Sequence, residues 1–144
     1  MSRKFVAVLD TMWGTIGRAP KYFYINPRNH SGKRLYWLTG CDLRDLLVVN
    51  ACPELVGQAT THGKPDADWL ARSLRALPIP FHSATLLVCG KVAQRTFAAS
   101  GVTWRGPTYS IDHPAARRWS RSTLDATRSL IQTGAYHGHK ESRR

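Results

Sequence analysis

The sequence predicts an α/β fold, a three-layer αβα sandwich around a small, mainly parallel sheet of about four strands. Two short, wholly apolar runs, Leu46–Val49 and Leu86–Cys89, suit strands buried on both faces. Around them lie segments whose apolar residues recur at helical spacing. Gly, Pro or Asn closes most of these segments, and strands alternating with helices argue for a parallel sheet between helical layers.

The opening segment, residues 1–20, fits a strand or a helix equally. "KYFYINP" reads as a strand, because aromatic and β-branched residues dominate it and Pro27 closes it. "SGKRLYWLTG" reads as a short helix with Ser31 as its cap, Leu35 and Leu38 on one face and Gly40 as its stop. The first apolar strand follows and ends at Asn50. "KPDADWLARSLRALPIP" places Trp69, Leu70, Ser73, Leu74 and Leu77 at helical spacing, opened by Pro65 and Asp66 and closed by Pro78. After the second apolar strand, "KVAQRTFAASG" is a helix running to a Gly stop, and "TYSIDHP" is a last short strand. The basic "AARRWSRSTLDATRSLIQTG" then seats Leu124, Thr127, Leu130 and Ile131 on the sheet. Residues 135–144 lack apolar periodicity and read as a basic, flexible tail, with His137 and His139 solvated.

A chain of 144 residues is long enough for one core without disulfides or metal, so a single domain is expected over residues 1–134. No apolar run approaches the roughly 18 residues of a membrane span, and Asp10 interrupts the apolar start of the chain. A soluble, cytoplasmic monomer without membrane contact is expected. Cys41, Cys52 and Cys89 are odd in number and widely spaced, so they read as buried free thiols, with neither a disulfide framework nor a metal site. Charge is the strongest compositional signal: 21 Lys and Arg against 9 Asp and Glu give +12. Polyanions are the natural partners of such a surface, because each neutralised phosphate releases counterions. After His113 the cations Arg117, Arg118, Arg121, Arg128, Lys140, Arg143 and Arg144 face only Asp125 and Glu141.

In open parallel sheets ligands bind outside the carboxyl ends of the strands. Three strands end in polar, turn-forming sequence, "INPRNH", "NACPEL" and "DHPAAR", so Asn26, Asn50 and His113 are expected to converge at one edge. The fourth end, "VCGK", offers Gly90, where backbone can approach a ligand closely. "CGKVAQRT" is not a phosphate loop, since Val92 stands where Ser or Thr is needed. The chain has no GxSxG, no HExxH and no paired-carboxylate motif.

Taken in order, "YINPR", "LLVVNACP", "LLVCGKVAQ" and "DHPAARRW" resemble the motifs of the uracil-DNA glycosylase superfamily, closest in style to its thymine/mismatch-specific branch. The resemblance implies a DNA glycosylase that flips a damaged, mismatched or modified base out of DNA and hydrolyses its N-glycosidic bond. It implies that Asn26 orients the attacking water, that His113 donates to the departing base, and that Asn50 pairs with the base edge. Arg28 stands where members of the family carry the residue that excludes or admits a thymine methyl group. Only "RNHS" separates Pro27 from the next helix, which implies an open pocket suited to a bulkier base. Arg117, Arg118 and Trp119 fall where the family places its DNA wedge, although Trp119 equally suits a core anchor, and Lys91 and Arg121 add phosphate contacts. No metal or organic cofactor is implied. The alternative is a nucleic-acid-binding or interaction protein of the same fold that lacks the chemistry.

Overall fold

The computed structural model describes residues 3–11, 17–55, 63–117 and 119–134. Arg118 and the tail expected at 135–144 lie outside the described residues. One sheet is built from β1 (Phe5–Leu9), β2 (Phe23–Tyr24), β3 (Leu46–Asn50), β4 (Thr85–Cys89) and β5 (Thr108–Ile111), in the order β2-β3-β1-β4-β5. The four longer strands are parallel, and β2 is an antiparallel edge strand of two residues. The ambiguous opening segment therefore contains the central strand, flanked by β3 and β4. The helices are α1 (His30–Thr39), α2 (Ala67–Ala76), α3 (Lys91–Ser100) and α4 (Arg121–Thr133).

The pleat divides the core into two layers. Val6, Val8, Leu47, Val49, Leu86 and Val88 pack with Leu70 and Leu74 of α2 and Ala93 of α3. Phe5, Ala7, Leu46, Val48, Leu87 and Cys89 pack with Leu35 and Leu38 of α1 and Ile131 of α4. The fold is thus the expected three-layer sandwich, with α2 and α3 on one face and α1 and α4 on the other. Both faces of the parallel strands are covered, so Leu47 and Leu86 are fully buried. Burying each contributes about 1.5–3 kcal/mol, and a charged substitution at either would break the core.

Local chemistry sets the helix ends. Asp66 caps α2 by accepting from Trp69 N at 3.0 Å, as its sequence position predicts. Gly40 closes α1 at φ 62°, a left-handed stop that glycine adopts without strain. The start of α1 differs from expectation. Asn29, not Ser31, is its cap, accepting from Gly32 N at 2.6 Å. At Gly32 a side chain would run into the Asn26 carbonyl, so glycine lets the helix begin against the preceding loop. At the amino edge of the sheet, Lys4 Nζ pairs with buried Asp45 at 2.5 Å, tying the start of β1 to the turn before β3. Among the described residues no helix is long and apolar enough to cross a membrane.

Candidate functional site at the carboxyl edge of the sheet

The four parallel strands deliver Asp10, Asn50, Gly90 and the Asp112–His113 pair to one edge. The β1–β3 ladder continues past the strand ends, with Ala51 N donating to Leu9 O at 2.9 Å and Cys52 N to Asp10 O at 3.0 Å. From β1 the chain proceeds toward β3, and from β4 it proceeds to β5 on the opposite side. The crevice between β1 and β4 is therefore the topological switch point, where ligands of open α/β sheets bind. Asp10 and Gly90 flank it, and Asn50 and His113 end the strands on either side.

Asn50 continues the row of Leu46 and Val48 on the α1–α4 side and lies in register with Leu9. It is 1% exposed, and neither its Nδ2 nor its Oδ1 has a hydrogen-bond partner among the described residues. A carboxamide carries two N–H donors and an acceptor oxygen, and leaving such groups buried and unpaired costs about 1–3 kcal/mol. Packing alone gives no reason for an amide there.

His113 is held by three neighbours. Its Nδ1 accepts from Ala115 N at 3.0 Å, so in the neutral ring the proton resides on Nε2, which is then a donor. Its carbonyl accepts from Trp119 Nε1 at 2.8 Å. Its side chain packs over Gly90, where a Cβ would stand 3.2 Å from His113 Cβ, and Gly90 has φ 89°. The space that a Cβ on Gly90 would occupy is thus taken by His113. Gln94 fixes the same corner, with Nε2 donating to Val88 O at 3.2 Å and Ile111 O at 2.9 Å. Gly90 N adds a bond to Ile111 O at 2.9 Å.

Asn26 does not join this edge. Phe23 pairs with Val48 and Tyr24 with Leu47 in antiparallel register, so the chain is moving away from Asn50 when it reaches Asn26. At about 3.3 Å per residue, Tyr24 is already some 10 Å along β3 from Asn50. The Asn26 side chain is exposed and accepts from Arg28 N at 3.0 Å, closing its own Asn-Pro turn. Asn26 is therefore removed from the expected convergence, while Asn50 and His113 stay at the same edge, at the ends of β3 and β5 with β1 and β4 between them. Arg28, exposed in the same turn, is removed from the edge with Asn26.

The residue that sequence reasoning missed is Asp10. "FVAVLD" is an apolar run closed by a polar residue, the same signal that marks Asn50, but so short a run fits a strand or a helix equally. Asp10 Oδ1 accepts from Thr11 Oγ1 at 2.9 Å and from Cys52 Sγ at 3.3 Å. Burial, chiefly, with the carboxylate beside it, pushes the Cys52 thiol up to about 11, so Cys52 is a neutral donor to Asp10. Asp10 lies one residue past the end of β1, and its contact with Cys52 places it beside the loop that follows Asn50. Among the described residues no group of three or more His, Cys, Asp or Glu is placed to hold a metal ion.

The basic candidates divide. Lys91, in the first turn of α3, and Arg117 are exposed close to Gly90 and His113 in the chain. Arg121 is exposed at the start of α4 and lies 3.5 Å from Asp125. Trp119 is partly buried against the α1–α4 layer with its N–H committed to His113, so it anchors the loop and is not a projecting wedge. Arg118 lies outside the described residues. No family model matches the chain, and a search of curated proteins finds no match.

Proposed function

We propose that the protein is a DNA glycosylase-like hydrolase that reads a flipped base with Asn50 at the carboxyl edge of the sheet. The observation that carries this reading is the buried carboxamide of Asn50, whose donors and acceptor have no partner among the described residues. Such a group suits the edge of a nucleobase, which presents donors and acceptors in one plane. The resemblance in motif order supports it, with one change. The first parallel strand is β1, so the role first expected of Asn26 passes to Asp10.

The chemistry follows from these groups. Cleavage of an N-glycosidic bond moves its electron pair onto the base and leaves positive charge on the sugar. The Asp10 carboxylate can face that charge and accept a proton from the water that attacks C1′. His113, donating through Nε2, can stabilise the negative charge on the departing base. Lys91 and Arg117 supply phosphate contacts, and the net charge of +12 favours DNA as the partner. The test is a base-release screen over duplex and single-stranded oligonucleotides carrying uracil, thymine mismatches, hypoxanthine or modified cytosines. Release is expected from at least one, and to be lost in Asp10→Asn and His113→Ala but kept in Asn26→Ala. Release from none refutes the enzymatic reading.

A second reading is favoured by Asn50 being sealed from solvent and by Asn26 lying away from it. A nucleic-acid-binding protein on this fold would bind oligonucleotides in a salt-dependent way and release no base.

A further inference from the structure

Beyond the carboxyl edge, α1 and α4 enclose a groove of about 370 Å³ lined by His30, Lys33, Arg34, Trp37, Arg121 and Leu124. No lining residue is acidic, and the first turns of both helices carry no Asp or Glu. Arg34 Nη1 is buried with no hydrogen-bond partner among the described residues. A guanidinium donor can be satisfied only by an acceptor, and its planar fork matches the oxygens of a phosphate. Trp37, one turn further along α1 from Arg34, is held in place, since Arg128 of α4 stacks on its ring at 4.5 Å and donates to its carbonyl at 3.1 Å.

The groove is connected to the edge. The Arg34 guanidinium lies 5.6 Å from the Trp119 ring centre, and Trp119 Nε1 donates to the His113 carbonyl. An anion on Arg34 would thus sit one indole ring away from the loop that carries His113. We infer that this groove binds a backbone phosphate of nucleic acid next to the nucleotide held at the edge. The identity of that occupant rests on the proposed function; the presence of an anion site does not.

The test is binding of a fluorescein-labelled 20-mer, single-stranded and duplex, followed by anisotropy over a KCl series with the full chain. Lys33→Ala removes an exposed cation, and Arg34→Gln removes the guanidinium with its buried Nη1 while keeping much of the side-chain volume. Each is expected to weaken binding several-fold near 150 mM salt and to reduce the slope of log K against log salt by about 0.7 for a single strand or 0.9 for duplex. Arg75→Ala, exposed on α2 across the sheet, is expected to leave the slope unchanged. Unchanged slopes in Lys33→Ala and Arg34→Gln overturn the inference, as does an equal loss in Arg75→Ala, which would mean diffuse attraction. Inorganic phosphate is titrated in parallel: displacement of the oligonucleotide by micromolar phosphate would make the site one for a free anion and overturn the nucleic-acid assignment. Because the readout is binding, absence of base release refutes the enzymatic reading without altering this result.

Discussion

Asn50→Leu should stabilise the protein while abolishing base release. The carboxamide is 1% exposed and unpartnered among the described residues. Replacing it with an apolar group of similar size removes an uncompensated desolvation cost of about 1–3 kcal/mol. For a chain of this length, each kcal/mol corresponds to about 3–4 °C, so Tm should rise by roughly 3–12 °C. Urea titration and thermal melts followed by circular dichroism at pH 7 measure the change, and the base-release screen reports the loss of function. Asn50→Asp is the informative opposite: it puts an unpaired charge in the same place and should lower Tm. A loss of about 1 kcal/mol or more in Asn50→Leu would refute the reasoning. It would mean that the native fold already satisfies the amide and does not hold it in reserve for a ligand, a trade of stability for function of the usual kind.

Two further outcomes test the supports of the site. Gly90→Ala forces a side chain into a φ of 89° and ψ of 164° and brings a Cβ to 3.2 Å from His113 Cβ, so it should cost about 1–3 kcal/mol and displace the His113 ring, read by thermal melts and by the histidine NMR resonances. Cys89 is wholly buried, and burial pushes its thiol far up, so above about pH 8.5 the unfolded chain loses this proton while the native one keeps it. Stability should therefore fall as pH rises, with this thiol contributing about 1.4 kcal/mol per pH unit, and urea titrations from pH 8.5 to 10.5 should show a slope smaller by that amount in Cys89→Ala.

Most of the sheet was legible because strands buried on both faces leave an unbroken apolar run. Leu46–Asn50 and Thr85–Cys89 are such runs, and the helices before, between and after them announced themselves through Gly40, Asp66 and Gly101 at their ends. β1 was harder, because "FVAVL" is too short for apolar periodicity to separate strand from helix. What identifies it is pairing: its residues match β3 and β4 one for one, a relation between segments about 40 and 80 residues away. "KYFYINP" misled for the same reason. Its composition suits a strand, and two of its residues form one, but composition is blind to direction, and the antiparallel pairing sends Asn26 away from the edge. Asn50 and His113 were legible as strand ends; the lock on His113 by Ala115, Trp119 and Gly90 was not, because it depends on how a loop folds back on itself.

Direction also decides which residue can carry chemistry. Catalytic groups must be held to within about 0.5 Å, which is easier at the end of a strand fixed by its neighbours than in a turn. β1 is hydrogen-bonded on both sides, and Cys52 N extends the ladder to the Asp10 carbonyl, so the position of Asp10 is set by the middle of the sheet. Asn26 follows a strand of two residues paired on one side, and its carboxamide is already used to close its own turn. An amide can orient water but cannot take its proton, whereas a carboxylate can do both. Asp10→Asn keeps the shape and removes only the basicity, so loss of base release in that variant, with release intact in Asn26→Ala, would assign the water to the central strand. The reverse pattern would return it to the Asn-Pro turn.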